Sequence, residues 1–291
     1  MTAVPVPIVC AVDDRYVGPL CVLMQSLAMA HPDSAPELRL VVIHRRLTEA
    51  SRQRVRWHAE RLGLTVELRE VQSASERYPV SHWVTDAVYV RLAIPEVVSD
   101  SRVVLYLDAD MVVLRDLRPL LETGLAGRPV AAARDEQNPV LGHGRALPGW
   151  WEIGLPASRE YFSSGVMLFD LVECARRGVF EECHRFLREM PGHVRFWDQD
   201  ALNWALGEDW LRLARCWNTV PLSGLSRLPG WAHYPEEVSP LRELLASEDA
   251  AAILHFAGPN KPWNFTYPEC RVRDVYQSFA RLVSEAEAAA D

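Results

Sequence analysis

Two aspartates one residue apart, in Asp108-Ala109-Asp110, follow directly on the run Arg102-Val103-Val104-Leu105-Tyr106-Leu107. An apolar, β-branched run of that length predicts a central strand buried on both faces. In open α/β sheets ligands bind beyond the carboxyl ends of the strands, so both acids emerge where a crevice forms. If the chain stays extended, carboxylates at this spacing reach one cation. A hard ion such as Mg²⁺ or Mn²⁺ accepts one or two of them and completes its octahedron with phosphate and water. Such an arrangement serves a diphosphate.

A second segment offers a complementary set. Ala251-Ala252-Ile253-Leu254-His255-Phe256 predicts another buried strand, continued by Ala257-Gly258-Pro259-Asn260-Lys261-Pro262-Trp263. His255 supplies an imidazole nitrogen, which favours Mn²⁺ over Mg²⁺. Lys261 is a mobile point charge for a phosphate, and Gly258 permits close backbone approach. A histidine in an apolar strand is more often a core residue; the Gly-Pro turn and lysine behind this one shift the balance toward a ligand. Asp13 and Asp14 end the first apolar run, with Tyr16 close behind. A carboxylate there can accept from a nucleobase N–H while the tyrosine ring offers a stacking face. Aspartate is equally a helix N-cap, and both readings stand.

The elements that must position these groups alternate along the chain. Residues 7–12 predict a strand, 16–30 a helix, 38–43 a strand, 48–62 a helix capped by Thr48, and 64–71 a strand. This βαβαβ order indicates a parallel α/β sheet. Residues 81–93 predict a helix before the metal strand. Beyond it, strands are predicted at 130–133, 165–169 and 251–256, and helices at 171–189, 199–206 and 271–289. Two stretches rich in proline, glycine and tryptophan, 136–159 with Trp150-Trp151 and 217–240 with Trp231, predict long loops. Long loops in a compact enzyme are usually functional or mobile. Their tryptophans can stack on a ligand or simply pack the loops down.

Composition bounds the function. At ~150 residues per domain, 291 residues make one large or two small domains. The absence of a linker or repeat favours one continuous domain over 1–291. With 49% hydrophobic and 24% charged residues the chain is ordinary globular protein, which excludes disordered and fibrous classes. A net charge of -8 and a pI near 5.6 argue against nucleic acid as partner. The first seven residues do not resemble a signal peptide and no run approaches a membrane span, so a cytoplasmic protein without stable membrane association is expected. The six cysteines form no Cys-x-x-Cys pair, which disfavours zinc and redox motifs.

Taken together, the segments resemble the family 8 retaining glycosyltransferases. The resemblance runs in order through Ala11-Val12-Asp13-Asp14-Arg15-Tyr16, Tyr89-Val90-Arg91-Leu92 and Leu105 to Asp110. It continues through Tyr161-Phe162-Ser163-Ser164-Gly165 to Asp170, Trp197-Asp198-Gln199-Asp200-Ala201-Leu202-Asn203, and His255 to Trp263. It implies a GT-A type, single Rossmann-like α/β domain with a mainly parallel central sheet. In it, residues 1–120 form the nucleotide-binding half and 121–291 the donor-sugar and acceptor half. It implies Asp108, Asp110 and His255 as Mn²⁺ ligands on a UDP diphosphate, with Mg²⁺ as the alternative ion. Asp13 and Tyr16 are then the uridine contacts, with Ala11 and Val12 lining the base pocket and Ala109 lying between the metal ligands. Gly258 and Lys261 become phosphate contacts. Arg91, Asp198 and Gln199 hold the donor sugar, Asp198 and Gln199 being closest to the chemistry, and Asp135 is a looser match near sugar and acceptor.

Two positions depart from the family pattern. Ser163 stands where asparagine is common in the donor-sugar motif, and a hydroxyl cannot make an amide's paired contacts. Arg15 replaces a commoner asparagine. The basic, aromatic tail of the membrane-associated lipopolysaccharide enzymes is also missing, which favours a soluble acceptor. The expected reaction is transfer of a hexose, glucose or galactose, from a UDP-sugar to an acceptor hydroxyl with retention. Front-face attack is favoured over a covalent intermediate on Asp198. The acceptor is a soluble glycan or glycosylated natural product, in keeping with the Ala, Arg, Val and Pro bias of a high-GC bacterium. The rival readings are a sugar nucleotidyltransferase, for which no glycine-rich phosphate loop is found, and a non-catalytic UDP-sugar-binding protein, hinted at by Ser163.

Overall fold

The computed structural model describes residues 6–33, 37–72, 78–80 and 84–290. Its central sheet has seven strands: β1 (Ile8–Ala11), β2 (Arg39–His44), β3 (Thr65–Glu70), β4 (Val103–Leu107), β6 (Val130–Arg134), β7 (Phe162–Asp170) and β8 (Trp210–Leu213). They are arranged in the order β3-β2-β1-β4-β7-β6-β8. A separate two-stranded ribbon joins β5 (Met111–Val113) to β9 (Ile253–His255). The β3-β2-β1-β4 half is parallel throughout and β6-β8 is parallel, while β7 runs against both neighbours. The sheet is therefore mainly parallel, with β4, the strand that precedes Asp108 and Asp110, in its middle, as expected of the GT-A type.

Alternation along the strands builds two cores. Ile8, Cys10, Leu40, Val42, Leu105 and Leu107 face the helices Val17–Ala30, Glu49–Leu62 and Arg271–Ala288. Val9, Val41, Ile43, Val104 and Tyr106 face the opposite layer, which includes Val179–Glu189 and Trp197–Leu206. Period-two side-chain alternation makes one strand serve both layers. Each fully buried aliphatic side chain contributes about 1.5–3 kcal/mol relative to exposure.

Most predicted elements are present within a few residues. The helix beginning at Glu49 is capped by Thr48, whose hydroxyl accepts from the Ser51 amide, and ends at Gly63 in the left-handed region. The helix predicted over 171–189 is two helices, Leu171–Arg176 and Val179–Glu189, because Gly178 adopts φ 62° between them. The helix predicted over 81–93 is instead 3-10 turns over Asp86–Ala93, running into a short helix with Pro95 in its first turn. Residues 81–83 lie outside the described residues. Strands β5 and β8 are too short to carry a period. The strand predicted at 251–256 contracts to β9 and joins β5 in place of the main sheet. All six cysteines are free thiols. Among the described residues no helix is long and apolar enough to cross a membrane.

Candidate active site

Strand direction gathers the site at one edge. β1 and β4 end there, at Ala11 and Leu107, and so does β6, whose direction matches β4 through two antiparallel steps. Because β7 runs the other way, its beginning reaches the same edge, so Ser163, Ser164 and Gly165 lie beside Asp108, whose amide donates to the Gly165 carbonyl at 2.9 Å. The ribbon supplies the remaining piece: its register pairs Met111 with His255, and the Phe256 amide donates to the Asp110 carbonyl at 3.0 Å. A cavity of about 740 Å³ opens over this edge.

Asp108, Asp110 and His255 converge there, each presenting a ligand atom within 4.8 Å of the others. One oxygen of each acid is tied down. Asp108 Oδ1 accepts from Arg91 Nη2 at 2.7 Å and Tyr106 OH at 2.8 Å, and Asp110 Oδ2 is paired with the Lys261 ammonium. The other oxygens, Asp108 Oδ2 and Asp110 Oδ1, each lie 3.5 Å from His255 Nε2. His255 Nδ1 donates to Asn218 Oδ1 at 2.9 Å, which leaves the Nε2 lone pair facing both carboxylates. Two oxygens and one imidazole nitrogen turned toward a common point are a donor set that fits a divalent cation of the Mn²⁺ kind.

The imidazole is held sterically as well. A Cβ on Gly165 would stand 2.3 Å from His255 Cε1 and 2.6 Å from Nδ1, so only glycine leaves room for the ring. Asn218, which sequence reasoning missed, is 2% exposed and also donates from Nδ2 to Ser163 Oγ at 3.1 Å. A lone asparagine in a tryptophan- and proline-rich loop carries no sequence signal of that role. Ser163 lines the cavity, but its hydroxyl also serves the histidine's support.

The remaining expected residues line the same cavity: Ala11, Val12, Asp13, Tyr16, Arg91, Ala109, Asp198, Gln199, Gly258 and Lys261. Asp13 is the N-cap of the turn Asp14–Tyr16, accepting from the Arg15 amide at 3.0 Å, and it also takes Thr85 Oγ1 at 3.1 Å and the Arg15 guanidinium. The capping reading and a place in the cavity therefore both hold for Asp13. Tyr16 meets Trp263 edge-on, and Gly258 adopts φ 85°.

One expectation needs correction. Lys261 is not a mobile charge: it is buried, bonded to Asp110 and to the Phe256 carbonyl at 2.8 Å, with the Tyr16 and Trp263 rings beside it. Burial opposes its charge, but Asp110, Tyr16 and Asp108 outweigh that and raise its pKa. Arg91 lines the cavity and is tied into the acids of its floor. Its buried guanidinium meets Asp108, Asp198 at 2.8 Å and the Ser164 carbonyl at 2.6 Å, stacked over Tyr106. It acts as the clamp between two acids.

Asp198 is 2% exposed, and burial pushes its carboxyl up to about 7, opposed by Arg91 and reinforced by Asp108. Asp110 moves the other way: burial raises it, but Lys261 and His255 together hold it well below the carboxylate range. Gln199 bridges the two sides, accepting the Ser164 amide at 2.9 Å and donating to Asp135 Oδ2 at 3.0 Å. Asp135 Oδ1 also receives the Gln137 and Asn138 amides. Glu136 is paired with Arg215, yet burial raises its carboxyl to about 7. Trp197, at the head of the helix carrying Asp198, has φ 50°, a conformation costly for a bulky residue and typical of functional sites. Of the loop tryptophans, Trp231 lines the cavity, whereas Trp150 and Trp151 lie outside its lining and meet each other edge-on.

A mainly parallel α/β sheet with paired acids beyond its central strand and a closing histidine-lysine segment is the architecture of the GT-A type. The glycosyl transferase family 8 model matches residues 7–266, and the chain belongs to that family. It is a glycosyltransferase, which retires the nucleotidyltransferase and pure binding-protein readings. It is similar to general stress protein A of Bacillus subtilis, 29% identical over 88% of this chain and 87% of that protein. It is also 29% identical to the lipopolysaccharide 1,2-glucosyltransferase of Escherichia coli, over 55% of this chain and 44% of that one. The chain spans less than half of that enzyme and of the Streptococcus pneumoniae glycosyltransferase GlyF, with which it shares 26% identity. Among solved structures, the galactosyltransferase LgtC in complex with donor and acceptor sugar analogues superposes with a TM-score of 0.76. It is 26% identical, over 94% of this chain and 95% of LgtC.

Proposed function

We propose that this glycosyltransferase moves a hexose, glucose or galactose, from a UDP-sugar to an acceptor hydroxyl with retention, in the presence of Mn²⁺. The observation that carries the reading is the convergence of one free oxygen from each of Asp108 and Asp110 with His255 Nε2, while their other polar atoms are tied to protein partners. Asp108, Asp110 and His255 would hold a divalent cation, which would supply charge stabilisation for a departing diphosphate. Glucosyl and galactosyl transfer in the names of similar proteins supports a hexose.

In this reading Lys261 contributes a second positive charge beside the diphosphate, exchanging part of its hold on Asp110 for phosphate oxygen. Gly258 lets the following loop approach. Asp13 and Tyr16, with the backbone of Ala11 and Val12, receive the uridine. Arg91 fixes Asp108 and Asp198 relative to each other, and Gln199 fixes the start of β7 relative to Asp135, so the donor sugar meets a rigid wall. The bond from anomeric carbon to diphosphate oxygen breaks and one to the acceptor oxygen forms on the same face. The acceptor proton passes to the departing diphosphate oxygen. Front-face attack is preferred because Asp198 is a poor nucleophile: it is buried and its carboxyl is clamped by Arg91. Its service is to orient sugar hydroxyls. Residues 1–120 then act as the nucleotide half and 121–291 as the sugar and acceptor half of one domain.

The test is incubation of purified protein with Mn²⁺ and a panel of nucleotide sugars, following UDP release with a chelator control and reading the anomeric configuration of any product by NMR. Chelator-sensitive release from one UDP-hexose is expected. The absence of both UDP release and Mn²⁺-dependent UDP binding would remove the proposal.

A further inference from the structure

The chain is acidic overall, with a net charge of -8, yet the outer rim of the cavity is not. Each carboxylate lining the cavity is already answered from within the protein by a cation or by amide N–H groups. Two lining arginines, Arg145 and Arg195, have no carboxylate partner among the described residues. Arg134, a third lining arginine, shares Glu160 with Arg212, so two guanidiniums draw on one acid.

These arginines are not loose surface groups. Asn138 Oδ1 accepts the Arg145 amide at 2.8 Å, and the Arg145 guanidinium lies over the Tyr234 ring and donates to its hydroxyl. The Arg195 and Phe196 amides each donate to Asp200 Oδ2 at 2.6 Å, and Asp200 is fully buried. Both arginines line one cavity from separate loops whose backbone is pinned at those residues. Arg145 and Arg195 are exposed, and Tyr234 is 60% exposed, so they form the mouth and not the floor where the acids stand. A guanidinium fork matches carboxylate and phosphate oxygens two at a time.

We propose that the acceptor is anionic: a saccharide carrying a phosphate or carboxylate near the hydroxyl that is glycosylated, with the charge received between Arg145 and Arg195. Tyr234 and Trp231 offer the sugar ring its apolar face. This rests on the transferase reading above and extends it to the second substrate. UDP occupies the diphosphate floor, so an anion bound to UDP-loaded protein reports on the rim alone.

The experiment titrates the Mn²⁺- and UDP-loaded protein by calorimetry with matched pairs, methyl glucoside against methyl glucuronide and glucose against glucose 6-phosphate. The charged member is expected to bind at least about tenfold more tightly, the scale of one charge-assisted contact. In the R145Q/R195Q double variant the two members become equal while UDP affinity is unchanged. Equal affinity in the parent protein, or no binding of either member at millimolar concentration, overturns the proposal while leaving the transferase reading intact. Failure of UDP to bind in a Mn²⁺-dependent way overturns the transferase reading and this one with it.

Discussion

The floor and the mouth of the cavity are built on different principles. On the floor, Asp108, Asp110, His255 and Lys261 stand at or beside strand ends, largely buried, each with an opposing charge or a hydrogen bond in place. At the mouth, Arg145, Arg195 and Tyr234 come from three separate loops, are exposed, and present charge without an opposing acid among the described residues. A floor of this kind is organised before its substrate arrives and spends little on reorganisation. The mouth is complete only with a partner, which is how one fold serves many acceptors.

The largest effect that can break this contrast is on the floor. Asp108→Asn or Asp110→Asn is expected to lower UDP-sugar turnover by about a thousandfold with the fold retained, since a lost ligand removes transition-state stabilisation. Near-normal rates in either variant, measured beside its circular dichroism, sink the metal assignment. Next comes Asp198→Ala, expected to cut kcat by about a hundredfold while UDP affinity holds. Parallel loss of UDP binding moves Asp198 out of the sugar wall.

Third are the supports of His255. Gly165→Ala and Asn218→Leu are expected to weaken Mn²⁺ binding about ten- to hundredfold, the first by displacing the ring and the second by removing the acceptor that orients it. Titration of the apoprotein with Mn²⁺ by electron paramagnetic resonance reads this directly, and unchanged affinity in both means the ring is held by other contacts.

The smallest effect is on stability against pH. The Asp198 carboxyl rises from its ordinary 3.8 to about 7 in the folded state, so the folded protein holds the proton more tightly than the unfolded chain. Its contribution is greatest below about pH 4, declines as pH rises toward about 7, and is flat above. Thermal melts across this window, with chelator present, should show the parent protein losing more stability than Asp198→Asn. Glu136 shifts in the same direction, so the variant keeps part of the slope. Parallel curves for the two proteins contradict the burial argument.

Much of the floor was legible in the chain because strand ends are local features. An apolar run followed by Asp-x-Asp, or by His-x-x-Gly-x-x-Lys, announces both the element and the edge where it stops. The second half was harder to read. Ribbon β5–β9 is three residues on each side, too short for a period, and Gly178 divides a helix that is continuous by pattern. The partners of Arg91 and Lys261 are not legible for a shared reason: a sequence displays a charge but not its partner, and both cations pair with acids elsewhere in the chain.

By itself the sequence determined the βαβ order, the acids beyond the central strand, the histidine-lysine segment and membership of a family. These follow from hydrophobic period and short-range spacing. It took the folded chain to show that β7 runs antiparallel and so brings Ser163 to Gly165 beside Asp108, that Asn218 and Gly165 aim the imidazole, and that two arginines at the mouth have no acid partner among the described residues. Register, close packing and charge pairing are long-range relations between segments, and no local pattern encodes them.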